Sequence, residues 1–435
     1  MRNTLTKERK SSISLLLLSK MFERLAFYLI MAILIQYLTE SFKLATDTAE
    51  IYYSIFYGMI GLTTLFSGLL GDLRDRAKIV KIGFFLLTAM YLVIPFLPSI
   101  SILILTALIL LSIGIGLTSP NIIVLLGNIY NEKENEIFGL SGFILFSLAV
   151  NMSGLIAPGL SFYLKNSLGY NAIFLFAFLF GLISLILFLK FKSIYTKLDF
   201  LSSPEVNPVS ISQKKINTLI LISILTIGVL IRFALNQKGL TFTFFVRDYT
   251  EKGFDLSQLF SNIEKYISLI FLVLFSVIIT RRKHIKWGNI FNIILIGIVL
   301  CSIAFITIAS FDTLSYSISG NIIIINAFIF ILIAETLLSP TIVYIIYRSS
   351  PIRYKGLFQG VSYIIMAISN SLLFLGAILY KPSDTALPFI IFTSILVISA
   401  ILIIILKKVI NNKLIGLERN SGITAANKSN RCTTK

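Results

Sequence analysis

Residues 119–130 read SPNIIVLLGNIY, and residues 339–350 read SPTIVYIIYRSS. Both are apolar runs opened by the same dipeptide, Ser119-Pro120 and Ser339-Pro340. The correspondence continues outward. FGLSG (138–142) and AVNMSG (149–154) follow the first, and KGLFQG (355–360) and AISNSL (367–372) follow the second. Pro120 maps to Pro340, Gly142 to Gly360 and Asn151 to Asn370, at offsets of 220, 218 and 219 residues. A nearly constant offset over three anchors is the mark of an internal repeat, so the chain is expected to be two halves of one design. Within an apolar helix each proline frees a carbonyl and bends the axis, which gives Pro120, Pro158 and Pro340 a shaping role.

The 435 residues are 56% hydrophobic, and the apolar residues fall in long runs with neither two-residue alternation nor a one-sided stripe. That pattern predicts an all-α polytopic membrane protein. At about 20 residues per crossing, twelve spans are expected, near 13–38, 50–71, 79–97, 101–127, 137–163, 171–192, 217–246, 260–280, 287–310, 319–347, 356–380 and 386–407. The most polar internal stretch, KSIYTKLDFLSSPEVNPVSISQKKIN at 192–217, has six spans on either side. The expected organisation is a six-helix bundle over 1–191, a cytoplasmic linker over 192–216, a second bundle over 217–407 and a basic cytoplasmic tail over 408–435. Two six-span halves in parallel repeat form the major facilitator arrangement, which places its substrate site near the midplane between the halves.

A net charge of +18 suggests nucleic acid in a soluble protein, but the distribution of the charge explains it otherwise. The termini and even-to-odd loops carry 28 Lys and Arg, the opposite loops carry five, and five more lie within spans. Both termini are therefore expected in the cytoplasm of a cell bounded by this membrane, a bacterial inner membrane in this reading. The partners expected are the bilayer, protons and a small solute, and not nucleic acid. The first apolar run is too long and too charged at its centre for a cleaved signal peptide. Cys301 and Cys432 are far apart, and His284 lies in the basic loop RRKHIKW, a pattern that gives no disulfide framework, metal set or cofactor. The sequence also holds no nucleophile–base pair or phosphate loop that would mark an enzyme. NEKENE at 131–136 reads as a solvated loop.

The loop GLLGDLRDRAK at 68–78 resembles the loop motif of facilitator proteins through Gly68, Asp72, Arg76 and Lys78, with Asp75 where a second glycine is usual. Asp72, at a helix end, can pair with basic groups and latch neighbouring helices. The alternative is that Arg74, Arg76 and Lys78 only fix topology.

The first span, SKMFERLAFYLI at 19–30, raises the question of function. Lys20, Glu23, Arg24, Phe27 and Tyr28 share one helical face, and Glu23 and Arg24 lie roughly 15 Å into the span, near the bilayer centre. Charges there cost a few kcal/mol each and mark functional sites unless they only lock helix packing. Span ten adds Glu335 just before Pro340, and span seven adds Arg232, Asn236, Gln237 and Lys238 before Gly239. Carboxylates beside cations at one depth can exchange protons as a cavity wets and dries. Taken at face value the cavity has a surplus of positive charge, which favours an anionic group on the solute. Glu264 and Lys265, in span eight, read as part of an outer gate or as an interfacial pair.

These residues resemble the proton-dependent oligopeptide transporters. Glu23, Arg24 and Tyr28 match the E-x-x-E-R-F-x-Y-Y signature of the first helix. LTSPNIIVLLGN and NMSGLIAP resemble the fourth and fifth helices, ALNQKGLTFTFF the seventh, and AETLLSP with Gly356 and Gly360 the tenth and eleventh. The resemblance implies that Arg24 serves peptide binding and proton coupling, and that Glu335 faces the peptide's amino terminus. Three positions depart from it: Lys20 replaces the signature's first Glu, Ser119 a lysine and Asn236 an acidic residue.

The expected function is proton-coupled symport of di- and tripeptides by alternating access. Glu23 and Glu335 would carry protons, Arg24 and Lys238 would hold the carboxylate, and Glu335 the ammonium. Tyr28, Asn151 and Gln237 would line the pocket. Lys20, Asp72, Arg76, Ser119, Pro120 and Pro340 would serve structure or gating. The rivals are a facilitator of another solute, such as an organic anion or drug, and a sensor that kept the fold without transport.

Overall fold

A computed structural model describes residues 7–130, 139–197, 211–249, 256–281, 287–311, 320–381 and 384–432. The described residues are helical almost throughout. The helices are α1 (Lys7–Met31), α2 (Leu34–Glu40), α3 (Thr46–Leu73), α4 (Arg76–Val93), α5 (Ser101–Ile129), α6 (Gly139–Leu168), α7 (Tyr170–Lys197) and α8 (Ile211–Asn236). They continue as α9 (Thr241–Tyr249), α10 (Leu256–Arg281), α11 (Trp287–Ala309), α12 (Gly320–Ser349), α13 (Lys355–Ser371), α14 (Leu373–Leu379) and α15 (Ala386–Cys432). Eleven described stretches are long and apolar enough to cross a membrane. The twelfth crossing is α1 with α2, whose apolar run is interrupted by Lys20, Glu23 and Arg24. Outward-facing Phe66, Phe85 and Phe162 are more than 60% exposed, as side chains meant for lipid would be. The loop 131–136, most of the 192–216 linker and His284 lie outside the described residues. Where a tail was expected beyond residue 407, α15 continues as helix to Cys432.

Three crossings are broken where continuous helices were expected. α1 gives way to α2 at Ala32–Ile33, with neither proline nor glycine at the break. α8 ends in a 3-10 turn, Gln237–Gly239, before α9, and α13 turns at Leu372 into α14. The last two breaks pack on each other: a Cβ at Gly376 would collide with Gln237 and Thr241.

α1 packs on α6 and α7, α3 and α4 on α5, and α11 on α12 and α15. The first half meets the second through α3 with α13, α6 with α10 and α12, and α5 with α13. On the face bearing the 68–78 loop these contacts are tight. Gly68 and Gly356 lie backbone to backbone, and a Cβ at Gly360 would come within 2.9 Å of Leu65. Phe143 of α6 packs against Tyr344 and Tyr347 of α12 at 5.4 and 5.6 Å between ring centres. The Tyr347 hydroxyl donates to Asn128 Oδ1 at 3.0 Å. Further along the same stripe of α3 the neighbours are gone: a Cβ at Gly58 or Gly61 would meet nothing within 4 Å, and Ile368 and Asn370 of α13 are exposed. The structure is thus closed on the 68–78 face and splayed toward the other.

Closure at Gly68 depends on the absence of a side chain. Gly68→Val is expected to part α3 from α13, with amide hydrogen exchange at residues 64–72 and 356–360 accelerating at least tenfold. Unchanged exchange would show that the glycine contact does not hold this face shut.

Candidate functional site

Serines set the position of α1. Ser19 and Ser184 exchange hydroxyl-to-carbonyl hydrogen bonds at 3.0 and 2.8 Å, Ser153 donates to the Met21 carbonyl at 2.6 Å, and Ser161 to that of Leu29 at 2.8 Å. Small donors of this kind let helices approach closely in a membrane. They turn the charged face of α1 inward. Arg24 grips Glu23 with two bonds, Nε to Oε2 at 2.8 Å and Nη2 to Oε1 at 2.5 Å, and Lys20 Nζ lies 2.7 Å from Glu23 Oε2. Lys20 and Glu23 are both about 1% exposed, and the Lys20 ammonium makes an ion pair without hydrogen-bond geometry. The guanidinium of Arg24 also lies 4.7 Å over the Phe27 ring, one turn on.

The second cluster forms at the break between α8 and α9. The 3-10 turn lifts Lys238 away from the α8 axis, and its ammonium donates to Glu335 Oε2 of α12 at 2.8 Å and to Glu264 Oε1 of α10 at 2.9 Å. Lys265 donates to the same Glu264 oxygen at 3.2 Å. One lysine therefore ties three helices together. The Glu335 side chain is 43% exposed, and its Oε1 takes no hydrogen bond among the described residues. Asn236 Nδ2 donates to Asn370 Oδ1 at 2.6 Å, joining α8 to α13.

Between the two clusters lies a cavity of about 410 Å³, within the range of small-molecule sites. Lys20, Arg24, Tyr28, Asn151, Glu335 and Pro340 line it, as does Arg232. So do Glu264, Lys265, Ser362, Tyr363 and Asn370, which the sequence reading gave no place in a pocket. Their signal was available for the charged pair, since an ionisable residue within a span marks a site by default. Glu23 sits behind the wall. Gln237, expected in the pocket, is fully buried instead, its Oε1 accepting from the Thr241 hydroxyl at 2.6 Å. The expectation extended α8 unbroken, and the 3-10 turn rotates this residue away. Counting the α1 triad, Arg232 and the Lys238 cluster, five cations face three carboxylates.

Ser119 of α5 lies beside Tyr363 of the cavity wall, whereas Asp72 and Arg76 lie at the closed face. Asp72 is almost wholly buried and pairs with Arg76 of its own half. It also accepts from the backbone N–H groups of Gly356 at 2.9 Å and Leu357 at 2.7 Å in the other. Arg76 also donates to Asn121 Oδ1 at 2.8 Å, and Asn121 Nδ2 to the Ser67 hydroxyl at 2.8 Å. Ser119 Oγ bonds back to the Ile115 carbonyl at 2.9 Å, and Pro120 follows it inside α5.

Comparison with known proteins agrees with this architecture. The family model of the Major Facilitator Superfamily matches residues 16–373. An uncharacterized transporter of Bacillus subtilis, YclF, is 29% identical over 222 residues, covering 50% of this chain and 44% of that protein. A di-/tripeptide transporter of Lactococcus lactis is 28% identical over 151 residues, covering 32% and 29%. The matched stretches thus span less than half the length of these relatives. Among solved structures, a POT family transporter in complex with a thioalcohol-conjugated peptide superposes with a TM-score of 0.61 at 17% identity, covering 92% of this chain and 96% of that one. The human organic anion transporter MFSD10 gives 0.64 at 13%, covering 92% and 100%. An outward-facing bacterial homologue of ferroportin gives 0.66 at 16%, covering 92% and 99%. At such identities the structures attest the fold alone. The family model covers most of the chain, and this protein belongs to the major facilitator superfamily.

Proposed function

We propose that this transporter moves di- and tripeptides together with protons by alternating access. The observation that carries this reading is the Lys238–Glu335 pair, in which Glu335 lines the central cavity and Lys238 holds only one of its carboxylate oxygens. A peptide's ammonium and a proton would both compete with Lys238 for that carboxylate. Either event would loosen the tie between the α8–α9 break and α12, so binding and protonation act on the same joint. Glu23, closed in by Lys20 and Arg24, is less accessible to a proton from the cavity than Glu335. Tyr28, Asn151 and Asn370 offer polar groups for the peptide backbone, and Val150, Leu235 and Met366 leave room for varied side chains. The names of the Lactococcus relatives support the substrate class.

With the Lys- and Arg-rich face in the cytoplasm, as the charge distribution requires, the described state is closed inward and both termini are cytoplasmic. Asp72 and Arg76 would then be the inner latch. The positive surplus of the cavity favours a second reading, transport of an organic anion. Uptake of labelled dialanine into liposomes separates the two. Accumulation driven by an inward proton gradient, and reduced at least tenfold in Glu335→Gln, is the expected result. Uptake of small carboxylates without any of dialanine would replace the peptide reading with the anion reading.

A further inference from the structure

The cation of the cavity wall that no acid answers is Arg232. Lys20 and Arg24 share Glu23, Lys238 has Glu335 and Glu264, and Lys265 has Glu264. Arg232 makes neither an ion pair within 4 Å nor a hydrogen bond among the described residues, yet it lines the cavity. The groups within its electrostatic reach are Glu335, already bound by Lys238, and the Tyr363 hydroxyl. A guanidinium offers five donors in a planar fork that matches a carboxylate, and leaving such a charge unanswered inside a protein is costly. Asn236, one turn further along α8, and Asn370 flank the same part of the wall.

We propose that Arg232, not Arg24, takes the anionic group of the solute, and that the solute is amphoteric, with its carboxylate at Arg232 and its ammonium at Glu335. Arg24 is a poor competitor because Glu23 already occupies its fork through two bonds. The lysines are each engaged as well. The amphoteric part rests on the peptide reading above; the placement of the anion does not.

The test is a binding cycle on the purified full chain in lipid nanodiscs, with dialanine and its C-terminal amide as probes. Amidation is expected to weaken binding to the unaltered protein by about 10- to 100-fold, the range of one charged hydrogen-bonded contact. Arg232→Gln should weaken dialanine by a similar factor and abolish the difference between the two probes. Arg232→Lys, which keeps the charge and guards against misfolding of the first variant, should restore part of that difference. In Arg24→Gln the difference should persist. If it persists in Arg232→Gln, or vanishes in Arg24→Gln, the proposal is wrong. Should dialanine fail to bind the unaltered protein, the peptide reading falls, and the same variants are titrated with lactate and succinate. Carboxylate binding lost in Arg232→Gln then upholds Arg232 as the anchor. Carboxylate binding that is absent altogether, or indifferent to Arg232, overturns it.

Discussion

Glu23→Ala is expected to cost the fold about 3–5 kcal/mol, the range for stripping one partner from a buried ion pair, whereas Lys20→Met is expected to leave it intact or firmer. The two changes differ because the triad is unbalanced. Glu23 is the single carboxylate between two cations, all three on one face of α1, with Lys20 and Glu23 about 1% exposed. Removing Glu23 leaves two positive charges side by side with no acid, Lys20 fully buried and Arg24 mostly so. Removing Lys20 leaves a one-to-one, doubly hydrogen-bonded Arg24–Glu23 pair and eliminates an ammonium that makes no well-formed hydrogen bond. Methionine fills nearly the same volume and adapts to an irregular packing site. Thermal unfolding in detergent followed by intrinsic fluorescence reads both. A Glu23→Ala protein as stable as the original would mean that the triad is hydrated from the cavity rather than buried.

Asp72→Asn is expected to shift the conformational equilibrium away from the closed 68–78 face by about 10- to 100-fold. α13 begins at Lys355, and Tyr354, at its cap position, contributes no side-chain hydrogen bond. The N–H groups of Gly356 and Leu357 are therefore orphans of a helix start, and Asp72 satisfies both from the other half of the molecule. A carboxylate at a helix N-terminus also gains from the helix dipole. Each charge-assisted bond contributes about 1.5–3 kcal/mol, and asparagine keeps one acceptor without the charge. When this face opens, water replaces Asp72 on α13, so the variant loses more in the closed state than in the open one. Spin-label distances between the ends of α3 and α13 on this face should lengthen in the variant. An unchanged distance distribution would reduce Asp72 to a partner of Arg76 within its own half.

The fold was legible because its signals are local or repeated. Apolar runs mark the crossings, and the Ser-Pro anchors at 119 and 339 mark the two halves without reference to any contact. The charged stripe of α1 was legible by helical periodicity alone. What stayed hidden depends on neighbours distant in sequence. Nothing in TFTFF or SNSLL announces that α8–α9 and α13–α14 break at one depth and pack through Gly376. For that reason the sequence alone puts Gln237 in the pocket and leaves Glu264 open between gate and interfacial pair. From sequence, Asp72 can be read as pairing with basic groups to latch helices, but its two backbone donors lie 284 and 285 residues away. Arg232 is visible as a charge within a span, and only the geometry of the other four cations reveals that, among the described residues, it has no ion-pair partner.

The most direct test of coupled transport is the internal pH of liposomes holding the purified protein, recorded with a trapped pH dye as dialanine is added outside with no proton gradient imposed. Proton-coupled symport requires the lumen to acidify as dialanine enters, and Glu335→Gln to abolish the acidification. Dialanine entry with a steady internal pH would contradict the coupling assigned to Glu335.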